Sequence, residues 1–165
     1  MERLWSPWRM EYIQANDDDP AEDRGCVFCA LLAGDLTDQP APLRVEGLAF
    51  VSLAKYPYNP GHLVILPTRH TGELEDLTPE EQAAIDGLLQ RSVRALREAS
   101  DPHGFNIGLN LGRVAGAGIP GHLHWHVVPR WGGDANFMPI VGETRVLPEL
   151  LGETDAKLRP LFEEG

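Results

Sequence analysis

Two cysteines in 165 residues are too few for the disulfide framework of a small secreted domain. No apolar run approaches the roughly 20 residues that cross a membrane as a helix. The opening residues, MERLWSPWRMEYIQ, lack the apolar core of a signal peptide. The expectation is a cytoplasmic protein with no membrane partner. In a reducing compartment the cysteine pair reads first as metal-binding or redox-active. Basic residues are also scarce, 14 Lys and Arg against 25 Asp and Glu, for a formal net charge of −11. Such a surface repels a polyanion, which argues against non-specific binding to DNA or RNA. A small phosphorylated ligand is compatible with it, because such a ligand needs only a local cluster of donors. Internal repeats and low-complexity tracts are absent.

What is present describes one ordinary globular domain, 42% apolar and 24% charged, long enough to bury a real core. An acidic stretch, NDDDPAEDRG, separates an aromatic-rich start carrying Trp5 and Trp8 from the rest. The chain divides into an N-terminal extension over 1–25 that packs on the domain, a main domain over 26–140, and a partly helical tail over 141–165. From about residue 43 to 67 the pattern is strand-like. LRVE breaks at Gly47, LAFVSLA follows, KYPYNPG has turn chemistry, and HLVILP comes next. Two antiparallel strands joined by a Pro/Gly turn are the simple reading. The clearest helix starts at Thr78 as N-cap, with Pro79 at the first position and Glu81 completing a capping box. Ile85, Leu88, Leu89, Ser92 and Leu96 then fall at helical spacing, and Ser100-Asp101-Pro102 ends it. FNIGLNLG alternates as a strand, RVAGAGIPG is a glycine-rich loop, and the tail is interrupted by Gly152 and Pro160. Strands around one long helix predict an α+β fold, an antiparallel sheet with one long helix and a shorter C-terminal helix to one side.

The glycine-rich loop leads into HLHWHVVPR, where His122, His124 and His126 fall on alternate positions. On a strand they share one face, each about 6–7 Å from the next. A solvated face would use Lys, Glu, Thr or Ser instead. Two readings stand against that one, a metal site built on the strand and a catalytic row. A neutral imidazole is a good nucleophile near pH 7, and neighbouring imidazoles can orient its tautomer or donate to an anion. The glycines at 108, 112, 116, 118 and 121 would let backbone N–H groups approach a phosphate closely. Cys26-Val-Phe-Cys29 has the spacing of a zinc knuckle, and the redox reading is weaker outside a thioredoxin-like βαβ context.

HLHWHVV, from His122 to Val128, matches the His-φ-His-φ-His-φ-φ signature of the histidine triad (HIT) superfamily of nucleotide hydrolases and transferases. YPYNPGHLVILP resembles the family's Pro-Gly-His strand, and Asn110-Leu111-Gly112 its phosphate-binding Asn-x-Gly. LWSPWRMEYI and VPRWGGDANF look like the bacterial branch that includes diadenosine tetraphosphate phosphorylases. The resemblance covers roughly residues 26 to 140. It implies that His124 attacks the α-phosphorus to form a nucleotidyl-histidine. His126 would contact the phosphate, as would Asn110 with Gly112, Gly116 and Gly118 of the loop. Lys55 and Arg113 are further candidates for phosphate contacts. In zinc-containing relatives the cysteine pair is completed by two histidines, which match His70 and His122 here. The resemblance thus implies a structural zinc on Cys26, Cys29, His70 and His122, and a homodimer. Two departures bear on activity. Where many relatives carry a Gln before the triad, this chain has Ala117 and Gly118. Where relatives place a ribose-binding Asn or Asp, counting from Phe50 gives Ala54, so ribose recognition has to come from elsewhere. The expected function is cleavage of a dinucleoside polyphosphate or nucleotide conjugate. The alternative is a nucleotide-binding regulatory protein with little turnover, and a zinc hydrolase with an open metal position fits less well.

Overall fold

The computed structural model describes residues 25–134 and 149–163. The expected N-terminal extension, apart from Gly25, and the tail before Glu149 lie outside them. Five strands form one antiparallel sheet: β1 Arg44–Glu46, β2 Ala49–Leu53, β3 Leu63–Pro67, β4 Gly104–Leu109 and β5 Trp125–Arg130, in the order β1-β2-β3-β5-β4. Among the described residues three α-helices accompany them, α1 Val27–Ala33, α2 Pro79–Ser100 and α3 Leu151–Glu163. None of the described helices is long and apolar enough to cross a membrane.

The stretch read as two strands holds three. Gly47, at φ 59, turns the chain back so that Glu46 pairs with Ala49, which makes β1 and β2 a hairpin. The Pro/Gly turn does join two antiparallel strands, β2 and β3, in register from Ala49↔Pro67 to Leu53↔Leu63. Gly61 closes that turn at φ 80, and a Cβ there would come within 2.8 Å of the Leu96 side chain. Only glycine combines that backbone with that approach.

Every residue of β2 and β3 is buried, because both faces of the sheet are covered. On one face Ala49, Val51, Leu53, Leu63, Ile65 and Val127 pack with Ile85, Leu88, Ala95 and Leu96 of α2 and with Leu158 and Phe162 of α3. On the other, Phe50, Ala54, Val64 and Leu66 pack with Leu31 of α1, supported by Phe28, Leu32 and Leu36. Each fully buried Leu, Ile or Phe contributes about 1.5–3 kcal/mol of transfer free energy. The second face matters most for function, since α1 covers only part of it and the histidines occupy the remainder.

The tail departs from its expectation. α3 runs unbroken through Gly152 and Pro160. Proline there forgoes a backbone hydrogen bond, but tertiary contacts hold the helix. Leu158 and Phe162 are buried, and Arg159 pairs with Asp155 while donating to the carbonyls of Ala41 and Pro42. Arg44 and Arg91 both donate to the Phe162 carbonyl near the C-terminal end.

α2 carries the predicted capping box. Thr78 Oγ1 accepts from the Glu81 N–H at 3.2 Å, and Glu81 accepts from the Thr78 N–H at 2.9 Å. Glu81 is buried and receives a two-pronged pair from Arg69, Nε and Nη2 each at 2.8 Å. These Arg69 bonds, then the Thr78 N–H, hold its carboxyl down to about 2 against a usual 4.5. A carboxylate depressed on folding stabilises the fold above its unfolded pKa, and the contribution is lost as pH falls through the folded value. Thermal stability is therefore expected to fall between about pH 4.5 and 2. In Glu81→Gln that stretch of the curve should flatten, with a lower melting temperature at pH 7. Melting curves across this range check it, and parallel curves for the two proteins would refute it.

Candidate active site

The histidine row is built differently from a simple strand. β5 begins only at Trp125, so His126 alone of the three lies within the sheet, opposite Val64 of β3 and Gly108 of β4. His122 and His124 precede it in an extended approach, where the Leu123 N–H donates to the Thr71 carbonyl at 2.7 Å. There the His122 backbone is bonded outside the sheet, its N–H to the Ile119 carbonyl and its carbonyl to the His124 ring. The three rings still form a row. Those of His124 and His126 stand 5.1 Å apart, edge to face.

Each ring's tautomer follows from what its nitrogens meet, since a carbonyl can only accept. His122 Nε2 donates to the Pro67 carbonyl at 3.0 Å, which leaves the lone pair on Nδ1. His124 Nδ1 donates to the His122 carbonyl at 2.9 Å, which leaves the lone pair on Nε2. His126 is set by a fourth histidine. The Tyr58 N–H donates to His62 Nδ1 at 3.0 Å, so His62 Nε2 carries the proton and donates to His126 Nδ1 at 3.0 Å. His126 is left with an N–H on Nε2. The row thus presents a lone pair at His124 beside a donor at His126.

His62 is 2% exposed and is a site residue whose role the Pro-Gly-His motif does not reveal by itself. Its signal was present, a histidine directly after the Pro-Gly turn. Phe28 was missed altogether. Its ring lies 5.1 Å from that of His124 and 5.6 Å from that of His122, and nothing in CVFC distinguishes it from a core aromatic.

Burial keeps the row neutral. It lowers His122 and His124 below the usual 6.5, and it takes His126, with a further contribution from His124, to about 4.

At the other end of the row, Cys26, Cys29, His70 and His122 bring four donor atoms within 4.8 Å of one another. Cys26 caps α1 and Cys29 lies in its first turn. His122 Nδ1 is 3.3 Å from Cys26 Sγ and 3.7 Å from Cys29 Sγ, and His70 Nδ1 is 3.5 Å from Cys29 Sγ. Burial and the neighbouring Cys26 push the Cys29 thiol up. The cluster could hold a metal ion.

The phosphate-loop candidates follow β4. The Asn110 side-chain amide donates to the Gly116 carbonyl at 3.3 Å, and Gly112 and Gly116 take φ values of 76 and 98. The loop is therefore closed on itself by the asparagine expected to hold phosphate. Gly118 follows within the same segment. Arg113 is exposed on the short turn Arg113–Ala115. Lys55, on the β2–β3 connection, is ion-paired with Asp38, so its amine is already engaged. Ala54, at the counted ribose position, is buried against the α1 face of the sheet. Below the row, Asp134 receives a two-pronged pair from Arg130 and bonds from Asn59 and the Trp131 N–H. These hold its carboxyl well below the usual range, Arg130 foremost.

Fold and site together define an α+β protein built on a buried row of neutral imidazoles with a Cys2His2 cluster at one end. The chain belongs to the HIT family: a model of the HIT domain matches residues 45–133. It is 43% identical over 159 residues to the AP-4-A phosphorylase of Mycobacterium tuberculosis, covering 93% of this chain and 80% of that one. The adenosine 5′-monophosphoramidase hnt1 of Schizosaccharomyces pombe is 29% identical over 105 residues, 64% of this chain and 74% of its own. Among solved structures, a Zn-bound histidine triad family protein from Mycobacterium smegmatis superposes with a TM-score of 0.69 at 33% identity, over 86% of this chain and 95% of that one.

The half-buried His126 should remain neutral well below the range of a free imidazole. Its ring carbon shifts in an NMR titration are expected to move only near pH 4. An unfolded histidine takes up its proton near 6.5, so this site should lower stability as pH falls from 6.5 toward 4. A titration midpoint above 6 would contradict the assigned environment.

Proposed function

We propose that this HIT enzyme cleaves a dinucleoside polyphosphate of the diadenosine tetraphosphate type at an α-phosphate, through a nucleotidyl intermediate on His124. The observation that carries the proposal is the pair of fixed tautomers, an acceptor nitrogen on His124 next to a donor on His126. His124 Nε2 attacks the α-phosphorus. A P–N bond forms as the P–O bond to the leaving polyphosphate breaks, and the electron pair departs with that oxygen. The His122 carbonyl stabilises the positive charge that develops on the His124 ring. The His126 N–H, held in place through His62, donates to the phosphate oxygens as charge builds there. Asn110 contributes a further donor once it exchanges its bond to Gly116 for substrate; the N–H groups of Gly112 and Gly118 contribute with it, and that of Gly116 if it releases the Arg113 carbonyl. In the second displacement an incoming oxygen attacks the same phosphorus, the P–N bond breaks, and His124 regains its lone pair. The similarity to an AP-4-A phosphorylase favours inorganic phosphate as that acceptor, which would yield ATP and ADP. Formation of AMP and ATP without phosphate would instead mark a hydrolase.

The same reading assigns zinc to Cys26, Cys29, His70 and His122. The donor set fits: a tetrahedral zinc with its usual bond lengths separates sulfur and nitrogen by about 3.5 Å, close to the spacings already present. Bound there, zinc would supply a closed structural centre with no vacant position for a reacting oxygen. His122 would ligate through Nδ1 while the Pro67 carbonyl holds its other nitrogen and so orients the ring. The homodimer implied by the family stays with this proposal. The outer edge of β4, where Asn106, Ile107 and Gly108 are exposed, is the candidate surface.

His124→Ala should lower kcat by more than about a thousandfold while nucleotide binding survives, because the loop donors act independently of the nucleophile. His126→Ala should lose about a hundredfold, the usual loss for one donor to a developing oxyanion. Acid quenching with substrate labelled at the α-phosphorus should trap the label on His124. Label on another residue, or turnover persisting in His124→Ala, would sink the assignment.

Purified protein should carry about one zinc per chain. Cys29→Ser should lose the metal and melt at a lower temperature, since metal binding is coupled to folding. Elemental analysis of untreated protein and a melting curve decide it. A metal-free wild type that matches Cys29→Ser in stability would remove zinc from the description.

A further inference from the structure

We propose that Tyr58 is a stacking platform for the second nucleoside of the substrate, the half that leaves with the polyphosphate. The inference rests on the reading of His124 as nucleophile. It adds a specificity-determining residue that lies outside the histidine motif.

Tyr58 lies at the far end of the histidine row. Along the sheet the order runs from the Cys2His2 cluster through His124 and His126 to His62, and Tyr58 comes next. Its ring lies nearly parallel to that of His62, 4.9 Å away at 17°, and 5.9 Å from that of His126. One face of the phenol is thereby covered by imidazole. The residue nevertheless remains 42% exposed, so aromatic surface stays open to solvent beside the donor end of the site. The same proposal assigns the nucleoside attached to the attacked phosphorus to the opposite flank, where Phe28 stands against His122 and His124. A polyphosphate leaving His124 past His126 passes the Tyr58 end of the row.

The platform is also held rigid. Tyr58's own N–H is bonded to His62. The next residue, Asn59, donates to the Pro129 carbonyl and to Asp134, each at 2.9 Å, and Asp134 is clamped by Arg130. The turn is thus tied to the end of β5 before any ligand arrives, and little ordering cost remains on binding. Every nucleobase presents a π-face, so an aromatic ring here adds affinity without selecting the base. The nearby Lys55 is committed to Asp38 and stands 5.7 Å from the Tyr56 ring, and it is Tyr58 that touches the His126 end of the row, as Phe28 touches the His122 and His124 end.

The test is made in the His124→Ala background, where substrate persists. Dissociation constants for diadenosine tetraphosphate and for AMP are measured with Tyr58 intact, Tyr58→Ala and Tyr58→Phe. Loss of one base–aromatic stack corresponds to about tenfold. Tyr58→Ala is expected to weaken diadenosine tetraphosphate by about that factor and to leave AMP within about twofold. Tyr58→Phe, which keeps the ring, should retain the dinucleotide affinity. An equal loss for both ligands would mean that Tyr58 only supports His62, and no loss for the dinucleotide would mean that it touches nothing; either overturns the proposal. If the intact-Tyr58 protein binds neither ligand, the reading of the site itself has failed, which is a separate result.

Discussion

His122 is the residue on which the rest of the site depends, because both ring nitrogens and its backbone carbonyl are engaged at once. Its Nε2 is bonded to Pro67 at the end of β3, and its Nδ1 faces the thiols of α1. Its backbone carbonyl receives the His124 ring. A shift at any one of these points moves the others. The end of the sheet, the short helix carrying the cysteines and the orientation of His124 form one mechanical unit. A seven-residue helix has little stability of its own. Cross-linking its first turn to His70 and His122 would account for how it is held against the sheet, with Phe28 set against the row.

The second chain of dependence runs the other way along the sheet. Tyr58 fixes His62, His62 fixes His126, and Asn59 with Asp134 fixes the turn that carries Tyr58. Two opposed anchors therefore define the row, one through sulfur and imidazole and one through a Pro/Gly turn. Burial of these rings is costly unless their polar atoms are partnered. Here a single buried partner decides on which nitrogen of each ring the proton resides. Burial also lowers their basicity, which suits a nucleophile that must be neutral and a donor that must not repel it.

Much of the architecture was legible because its signals are local. The capping box of α2 and its apolar stripe are short-range patterns, and both are as expected. The alternate histidines and the Cys-x-x-Cys spacing were equally plain. Other elements misled for definable reasons. β1 was merged with β2 because a two-residue turn at Gly47 and Leu48 interrupts the apolar pattern so briefly. Propensity breaks α3 at Pro160 because it ignores the packing of Leu158 and Phe162 and the bonds that Arg44, Arg91 and Arg159 make between the helix and the rest of the chain. His122 and His124 were placed within the strand because alternation alone does not reveal that their hydrogen-bonding groups are used elsewhere.

Sequence by itself determined which chemistry was available: three imidazoles on alternate positions, two cysteines three apart, a glycine-rich approach, and an acidic surface unsuited to polyanions. These are properties of residue type and spacing, which survive without knowledge of the fold. Tertiary structure decided what each imidazole is for. The partners that set the tautomers of His122 and His126, Pro67 and His62, lie 55 and 64 residues away in the chain. The donors gathered near His122 come from residues 26, 29 and 70. A tautomer is set by a single hydrogen bond, and only folding brings its partner within reach.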